Sequence, residues 1–205
     1  VVNAEIDILK ELGVEFKTGI EVGKDITIDA LRKLGYQAFY LAIGAQEGRS
    51  LGLEHEDATG VMTGVDFLRR VNLDEDLRTE GQVVVIGGGN VAIDVARTAE
   101  RIGASKIDMF CLESREEMPA LEEEIEEALS EGIKINPSWG PSRILTEEGR
   151  VVGVEFKKCI SVFDSQGKFN PSFDESNTKI VKADYVLISV GQAMDWGGLL
   201  EETAL

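Results

Sequence analysis

Cysteine and histidine are almost missing from this chain: its 205 residues include two cysteines and one histidine. Cys111 and Cys159 form no Cys-x-x-Cys pair, so the chain alone builds no zinc site, iron–sulfur cluster or dithiol redox centre. Cys111 ends an apolar run and reads as a small buried hydrophobe, and two unpaired cysteines fit a reducing cytoplasm. His55, within Glu54-His55-Glu56, reads as an exposed polar residue and not as a general base. Positive charge is also scarce. Against 38 Asp and Glu stand 21 Lys and Arg, a net charge of −17. That balance excludes nucleic acid and anionic membrane surfaces as partners, and it reads as a solubility device more than as a docking face. No apolar run reaches the roughly 18 residues of a membrane span, and no signal-peptide pattern is present. The first residue is Val1 and not methionine, which points to a piece of a longer chain.

What the chain does have is apolar content, 43% of its residues. That suffices for a sizeable core: one large domain, or one domain and part of another. The most informative stretch starts at Val83-Val84-Val85-Ile86, four β-branched residues that read as a buried parallel strand. Gly87, Gly88 and Gly89 follow, then Val91, Ala92, Val95, Ala96 and Ala99 at helical spacing. Strand, glycine turn and helix in succession make the phosphate-binding corner of a dinucleotide fold, here as Gly87-x-Gly89-x-x-Ala92. Gly87 permits the tight turn, Gly89 lets backbone approach a pyrophosphate, and Ala92 lets helix and strand pack. The exposed N–H groups at the helix start then face the anion, helped by the helix dipole. A second strand over residues 106–111 leads to Glu113, 24 positions after Gly89 (113 − 89). There a carboxylate can accept from a ribose 2′-OH.

Residues 1–12 carry Val1, Ala4, Ile8 and Leu12 at helical spacing and are stopped by Gly13. Val14-Glu15-Phe16-Lys17-Thr18 alternates like a strand. A short helix over 29–34 is capped near Thr27 or Asp29 and ended by Gly35, and residues 38–45 read as a buried strand. Residues 46–81 read as a connector, with Asp74-Glu75-Asp76 a solvated loop and a turn or two of helix over 65–71. The fingerprint helix spans about 90–102, with Asp94 and Arg97 paired three residues apart and Asn90 near phosphate or nicotinamide. Pro119 fits the first position of another helix, turning Leu121, Ile125, Ala128 and Leu129 inward and Glu122, Glu123, Glu124, Glu126, Glu127 and Glu131 to water. Ile133-Lys134-Ile135 reads as a third parallel strand. Segments 143–145, 151–156, 160–163 and 179–181 alternate around Glu147-Glu148-Gly149 and Ser165-Gln166-Gly167 turns, an antiparallel meander. The run 184–190 is a last buried parallel strand ended by Gly191. The fold class is therefore α/β: a Rossmann-like, doubly wound parallel sheet with an antiparallel β-meander, of the two-dinucleotide-binding flavoprotein type. Ligands in such sheets bind at the carboxyl ends of the strands, here 87–92, 112–115, 136–139 and 191–192.

The chain resembles the small (beta) subunit of bacterial glutamate synthase and the related ferredoxin–NADP oxidoreductase large subunits. The shared pieces are Glu11-Leu12-Gly13-Val14-Glu15-Phe16, Ala42-Ile43-Gly44-Ala45, residues 87–97, Arg115-Glu116-Glu117-Met118-Pro119-Ala120 and residues 183–192. The resemblance implies FAD in one domain, NAD(P)H in an inserted one, and electrons passed on to iron–sulfur or glutamate-synthase-type partner subunits. It places residues 1–45 in a partial FAD domain and 82–195 in the NAD(P) domain, with 196–205 returning toward the FAD domain. FAD is then expected in the full-length protein and not in this piece. Where relatives carry paired arginines for an NADPH 2′-phosphate, this chain has Leu112-Glu113. That implies NADH in preference to NADPH, by about 1–3 kcal/mol, with Arg115 the one cation nearby. The expected cofactor-binding residues are Gly87, Gly88, Gly89, Asn90, Val91, Ala92, Glu113, Arg115 and Gly191. No catalytic side chain and no metal is expected. Two rivals compete: a disulfide reductase of thioredoxin-reductase type, disfavoured for want of a dithiol, and a non-catalytic NAD-binding module that senses redox state or serves as a scaffold.

Overall fold

The computed structural model describes residues 2–74 and 76–199. They form two compact units, one of the residues up to 44 with those from 194 onward, the other of residues 45–193.

The first unit contains α1 (Val2–Glu11) and α2 (Ile28–Lys33). Gly13, at φ 89°, ends α1 as the periodicity predicts. Its N–H reaches the Lys10 carbonyl and that of Val14 reaches Leu9, at 3.0 and 3.1 Å. Thr27 caps α2, its hydroxyl accepting from the Ala30 N–H at 3.1 Å. Two expectations fail here. Helix α1 buries none of its residues, so Ala4 and Ile8 are not turned into a core (Val1 lies outside the described residues). Residues 14–18 and 38–45 are not strands. An alternating or apolar run becomes a strand only when a neighbour completes its hydrogen-bond ladder, and among the described residues none does. The expected return at 196–205 is described only as far as Leu199.

The second unit begins with β1 (Glu47–Gly48) and β2 (Val61–Thr63), two short strands that the Gly- and acid-rich composition conceals, and α3 (Gly64–Leu73), which covers the helical turns expected over 65–71. Of the Asp74-Glu75-Asp76 loop, Glu75 lies outside the described residues. Then come β3 (Gly81–Ile86), α4 (Asn90–Arg101), β4 (Ala104–Phe110), α5 (Glu122–Ser130), β5 (Lys134–Asn136), β6 (Trp139–Glu147), β7 (Arg150–Phe163), β8 (Phe169–Lys182), β9 (Tyr185–Ile188) and β10 (Gln192–Ala193). The parallel sheet runs β2-β9-β3-β4-β5; β6-β7-β8 form the antiparallel meander, and β1 pairs with β10. The last of these five strands in sequence, β9, thus sits between β2 and β3.

Strand pleating sends alternate residues of β3 to opposite faces. Val83 and Val85 pack with Ile93, Val95, Ala96 and Ile125 from the helices. Val84 and Ile86 pack with Ile144, Val154 and Phe156 of the meander. Both faces are covered, which is why the strand is an unbroken apolar run. Phe110 of β4 stacks on Phe156 of β7 with ring centres 4.0 Å apart. The Lys179 ammonium lies over Phe110 and Trp139, and its burial lowers its pKa.

Two elements differ in detail from the sequence reading. Strand β7 is one 14-residue strand where two segments are expected, because register shifts near Lys158 and Ser161 break the alternation. Helix α5 starts at Glu122, not Pro119, with Leu121 as its extended cap. Of its expected inward residues, Ile125 and Ala128 are buried, whereas Leu121 and Leu129 are 60% and 48% exposed.

Candidate nucleotide-binding site

Strand β3 delivers the chain to the carboxyl edge of the sheet, and the glycine turn follows at once. Gly87 has φ 145°, and a Cβ there would lie 2.3 Å from the Ser189 carbonyl oxygen and 3.2 Å from the Ala92 methyl. Only glycine meets both demands. At Gly88 an added Cβ would meet the Cys111 Cβ at 2.9 Å and a Glu113 carboxylate oxygen at 3.1 Å. Gly89 caps α4 without a side chain, and its carbonyl accepts from the Ala92 and Ile93 N–H groups at 2.9 and 3.2 Å. The N–H groups of Asn90 and Val91 have no acceptor among the described residues, and both residues line the adjoining cavity. Unfilled donors at a helix N-terminus make an anion site.

That cavity holds about 400 Å³. Gly87, Gly88, Gly89, Asn90, Val91, Glu113 and Gly191 all line it. Ala92 does not; it is fully buried behind the turn. Arg115 does not either. Its guanidinium grips the Glu122 carboxylate, with Nη1 3.0 Å from Oε2, which lowers the Glu122 pKa. Glu113 is half-buried, and its carbonyl accepts from the Ser138 N–H at 2.7 Å. Beside it burial, then the Glu113 charge, pushes the Cys111 thiol up to about 12, so the sulfur stays protonated at neutral pH. Ser189 also lines the cavity, and its buried hydroxyl has no partner among the described residues.

Two side chains behave differently from expectation. The Asn90 carbonyl oxygen accepts from the Leu121 N–H at 2.8 Å, so it ties α4 to the start of α5. Arg97 pairs with no aspartate: it binds Glu124, Glu127 and Glu131, at 2.6 Å for Glu127. Part of the glutamate face expected in water therefore clamps α5 to α4, and the Arg97 hydrogen bond lowers the Glu131 pKa. The cavity also has walls the motifs do not reveal. Leu51 follows β1, Pro141 comes from β6 and Phe169 from β8. His55 stands in a turn at φ 71°, outside the cavity, with Nε2 3.6 Å from Glu54.

The sequence pattern of the pyridine nucleotide-disulphide oxidoreductases matches residues 2–204. The chain belongs to this family. Among its relatives is the NADP(+)-dependent formate dehydrogenase subunit beta of Moorella thermoacetica, 35% identical over 95% of this chain and 28% of the relative. The glutamate synthase [NADPH] small chain of Escherichia coli K12 is 31% identical over 93% of this chain and 43% of its own length. The chain thus spans less than half of each. FprA of Mycobacterium tuberculosis, solved with NADPH, superposes with a TM-score of 0.71 over 84% of this chain and 54% of FprA. At 17% identity that likeness establishes the shared α/β fold alone. Despite the family's description, the two cysteines of this member are free and buried, and neither lies in a dithiol motif. No helix among the described residues is long and apolar enough to cross a membrane.

Proposed function

We propose that the cavity binds the pyrophosphate and adenosine ribose of a nicotinamide dinucleotide, and that the chain is the nucleotide-binding part of a flavin-dependent oxidoreductase. The observation that carries this is the cradle itself: a turn closed to any side chain at Gly87 and Gly88, opening onto the unfilled N–H groups of Asn90 and Val91. The bound nucleotide supplies the hydride. The chain's own residues bind and orient it. Electrons pass to FAD and on to iron–sulfur partners, as the relationship to glutamate synthase small chains suggests. In this reading residues 1–45 are part of the FAD domain. Among the described residues they contain no glycine turn opening a helix, so FAD is held by the longer protein. Free, buried cysteines suit a cytoplasmic setting.

For the nucleotide we propose NADH in preference to NADPH. The support is local: the Glu113 carboxylate lies against Gly88 and lines the cavity, while Arg115 is held by Glu122. A carboxylate accepts from a 2′-OH and repels a 2′-phosphate. The relatives' names, which specify NADPH or NADP(+), do not support this preference; it rests on these residues alone. Calorimetric titration of the chain with both nucleotides should show NADH binding about tenfold tighter, and Glu113→Gln should narrow the gap. Equal or tighter NADPH binding overturns the preference, and binding of neither overturns the site. In the longer protein, NADH should bleach the flavin absorbance. Absence of bleaching would leave a binding module without redox activity.

A further inference from the structure

Strand β7 outruns its partner β6. The β6–β7 ladder begins at Trp139 opposite Lys158, but β7 continues to Phe163, paired from there with β8 alone. The root of this two-stranded arm is fixed at the end of β4. The Trp139 N–H reaches the Cys111 carbonyl at 2.8 Å, and the Cys159 N–H reaches that of Ser138 at 2.9 Å. Close packing reinforces the root, since a Cβ on Gly140 would lie 2.5 Å from the Phe173 ring and 2.7 Å from Leu112. The arm therefore grows outward from the ligand edge of the parallel sheet. Register shifts between Lys157 and Lys158, Cys159 and Ser161, and Ser161 and Phe163 bend it and re-aim its side chains.

Its tip is a built turn. The Asp164 carboxylate accepts from the N–H groups of Gln166 and Lys168 at 2.9 and 3.1 Å, and Gly167 supplies φ 74°. Phe163 and Phe169 meet edge to face, 6.3 Å between ring centres, which fixes each ring against the other. Phe169 is 60% exposed, yet it lines the 400 Å³ cavity together with Leu112, Trp139 and Pro141. An exposed aromatic with an edge-to-face neighbour, beside an apolar recess, is suited to a flat, uncharged ring.

We propose that Phe169 closes the adenine end of the nucleotide site by stacking on the base, with Phe163 as the positioning residue behind it. This rests on the nucleotide reading above. Glu113, at the 2′-OH, identifies the adenosine ribose, and Leu112 and Trp139 continue the wall on that side. The nicotinamide half then lies toward Leu51, Val190 and Gly191. Adenine is neutral, so stacking needs no charge from the arm. One base on one aromatic is worth about tenfold in affinity.

The test is titration of the full-length protein, wild type and variants, with ADP-ribose, which carries the adenine half, and with nicotinamide mononucleotide, which does not. Phe169→Ala should bind ADP-ribose about tenfold more weakly and nicotinamide mononucleotide within twofold of wild type. Phe169→Tyr should restore ADP-ribose binding, and Phe163→Ala should weaken it by about two- to threefold. Unchanged ADP-ribose binding by Phe169→Ala overturns the proposal. So does an equal loss in both alanine variants without rescue by tyrosine, which would make the pair a structural feature of the hairpin. Failure of the wild type to bind ADP-ribose is a different result, and it removes the nucleotide site itself together with this inference.

Discussion

Apolar residues of the parallel sheet and those up to residue 44 have different fates. In residues 45–193, Val85, Ile93 and Val95 are fully shielded from water. In the unit containing residues 2–44, Leu12 is 75% and Tyr40 94% exposed, and Ile28 is a buried exception at 2%. The side-chain types are similar; what differs is the backbone. Between 45 and 193, each parallel strand has ladder partners and the sheet has helices on one face and a meander on the other, so the apolar pleats of β3 and β9 find a surface on both sides. Up to residue 44 the two apolar runs that could have been strands have no ladder among the described residues. Apolar character alone does not make a core; paired backbone lets side chains bury without stranding N–H and C=O groups.

The largest expected effect tests that contrast directly. Phe156→Ala removes a fully buried ring and its stack on Phe110. It should cost about 3–5 kcal/mol in denaturant unfolding of residues 45–193. Phe16→Ala, at a position 44% exposed, should stay within about 0.5 kcal/mol. Comparable losses would mean that the unit containing Phe16 holds a core as dense as the other.

A smaller effect compares two glycines of positive φ. Gly87→Ala combines a strained φ with a methyl 2.3 Å from the Ser189 carbonyl, and should cost about 1–3 kcal/mol while weakening NADH binding at least tenfold. At Gly13, φ is 89° but a Cβ meets no atom within 4 Å. Gly13→Ala should therefore carry only the strain of the left-handed conformation, about 1 kcal/mol, with NADH affinity unchanged. Loss of NADH binding in the Gly13 variant would show that the cradle depends on more than its own turn.

These pairs also show what could be read from the sequence. The glycine turn was legible because its requirements are local: Gly87, Gly89 and Ala92 are separated by a few residues and each has one steric reason. The parallel strands were legible because burial on both faces leaves continuous β-branched runs, as at Val83-Val84-Val85-Ile86. The three-residue β2 was hidden in the connector, being too short to carry a period. Arg97 was misplaced because its partners lie 27 to 34 positions away, on α5 and at its C-cap, beyond any helical spacing rule. Phe169 was invisible for the same reason, since it lies on β8, far in sequence from the glycine turn whose cavity it lines.

The smallest effect makes the sharpest comparison, because the two substitutions are chemically the same. Thr63 caps α3, its hydroxyl accepting from the Asp66 N–H at 3.2 Å and donating to the Asp66 carboxylate at 2.8 Å. Thr27 caps α2 through one bond, from the Ala30 N–H at 3.1 Å. Replacing either with alanine should cost its helix about 1 kcal/mol. Helix α3 is anchored in the core through Phe67, which is 2% exposed, so Thr63→Ala should lower the unfolding midpoint of residues 45–193 as a whole. Thr27→Ala should leave that midpoint in place and appear only as faster amide exchange in α2. Thr63→Ser, which keeps the hydroxyl, should recover most of the loss. If Thr27→Ala lowered the 45–193 midpoint as much as Thr63→Ala does, the two units would be melting as one, and the difference in burial between them would no longer mark a difference in cooperativity.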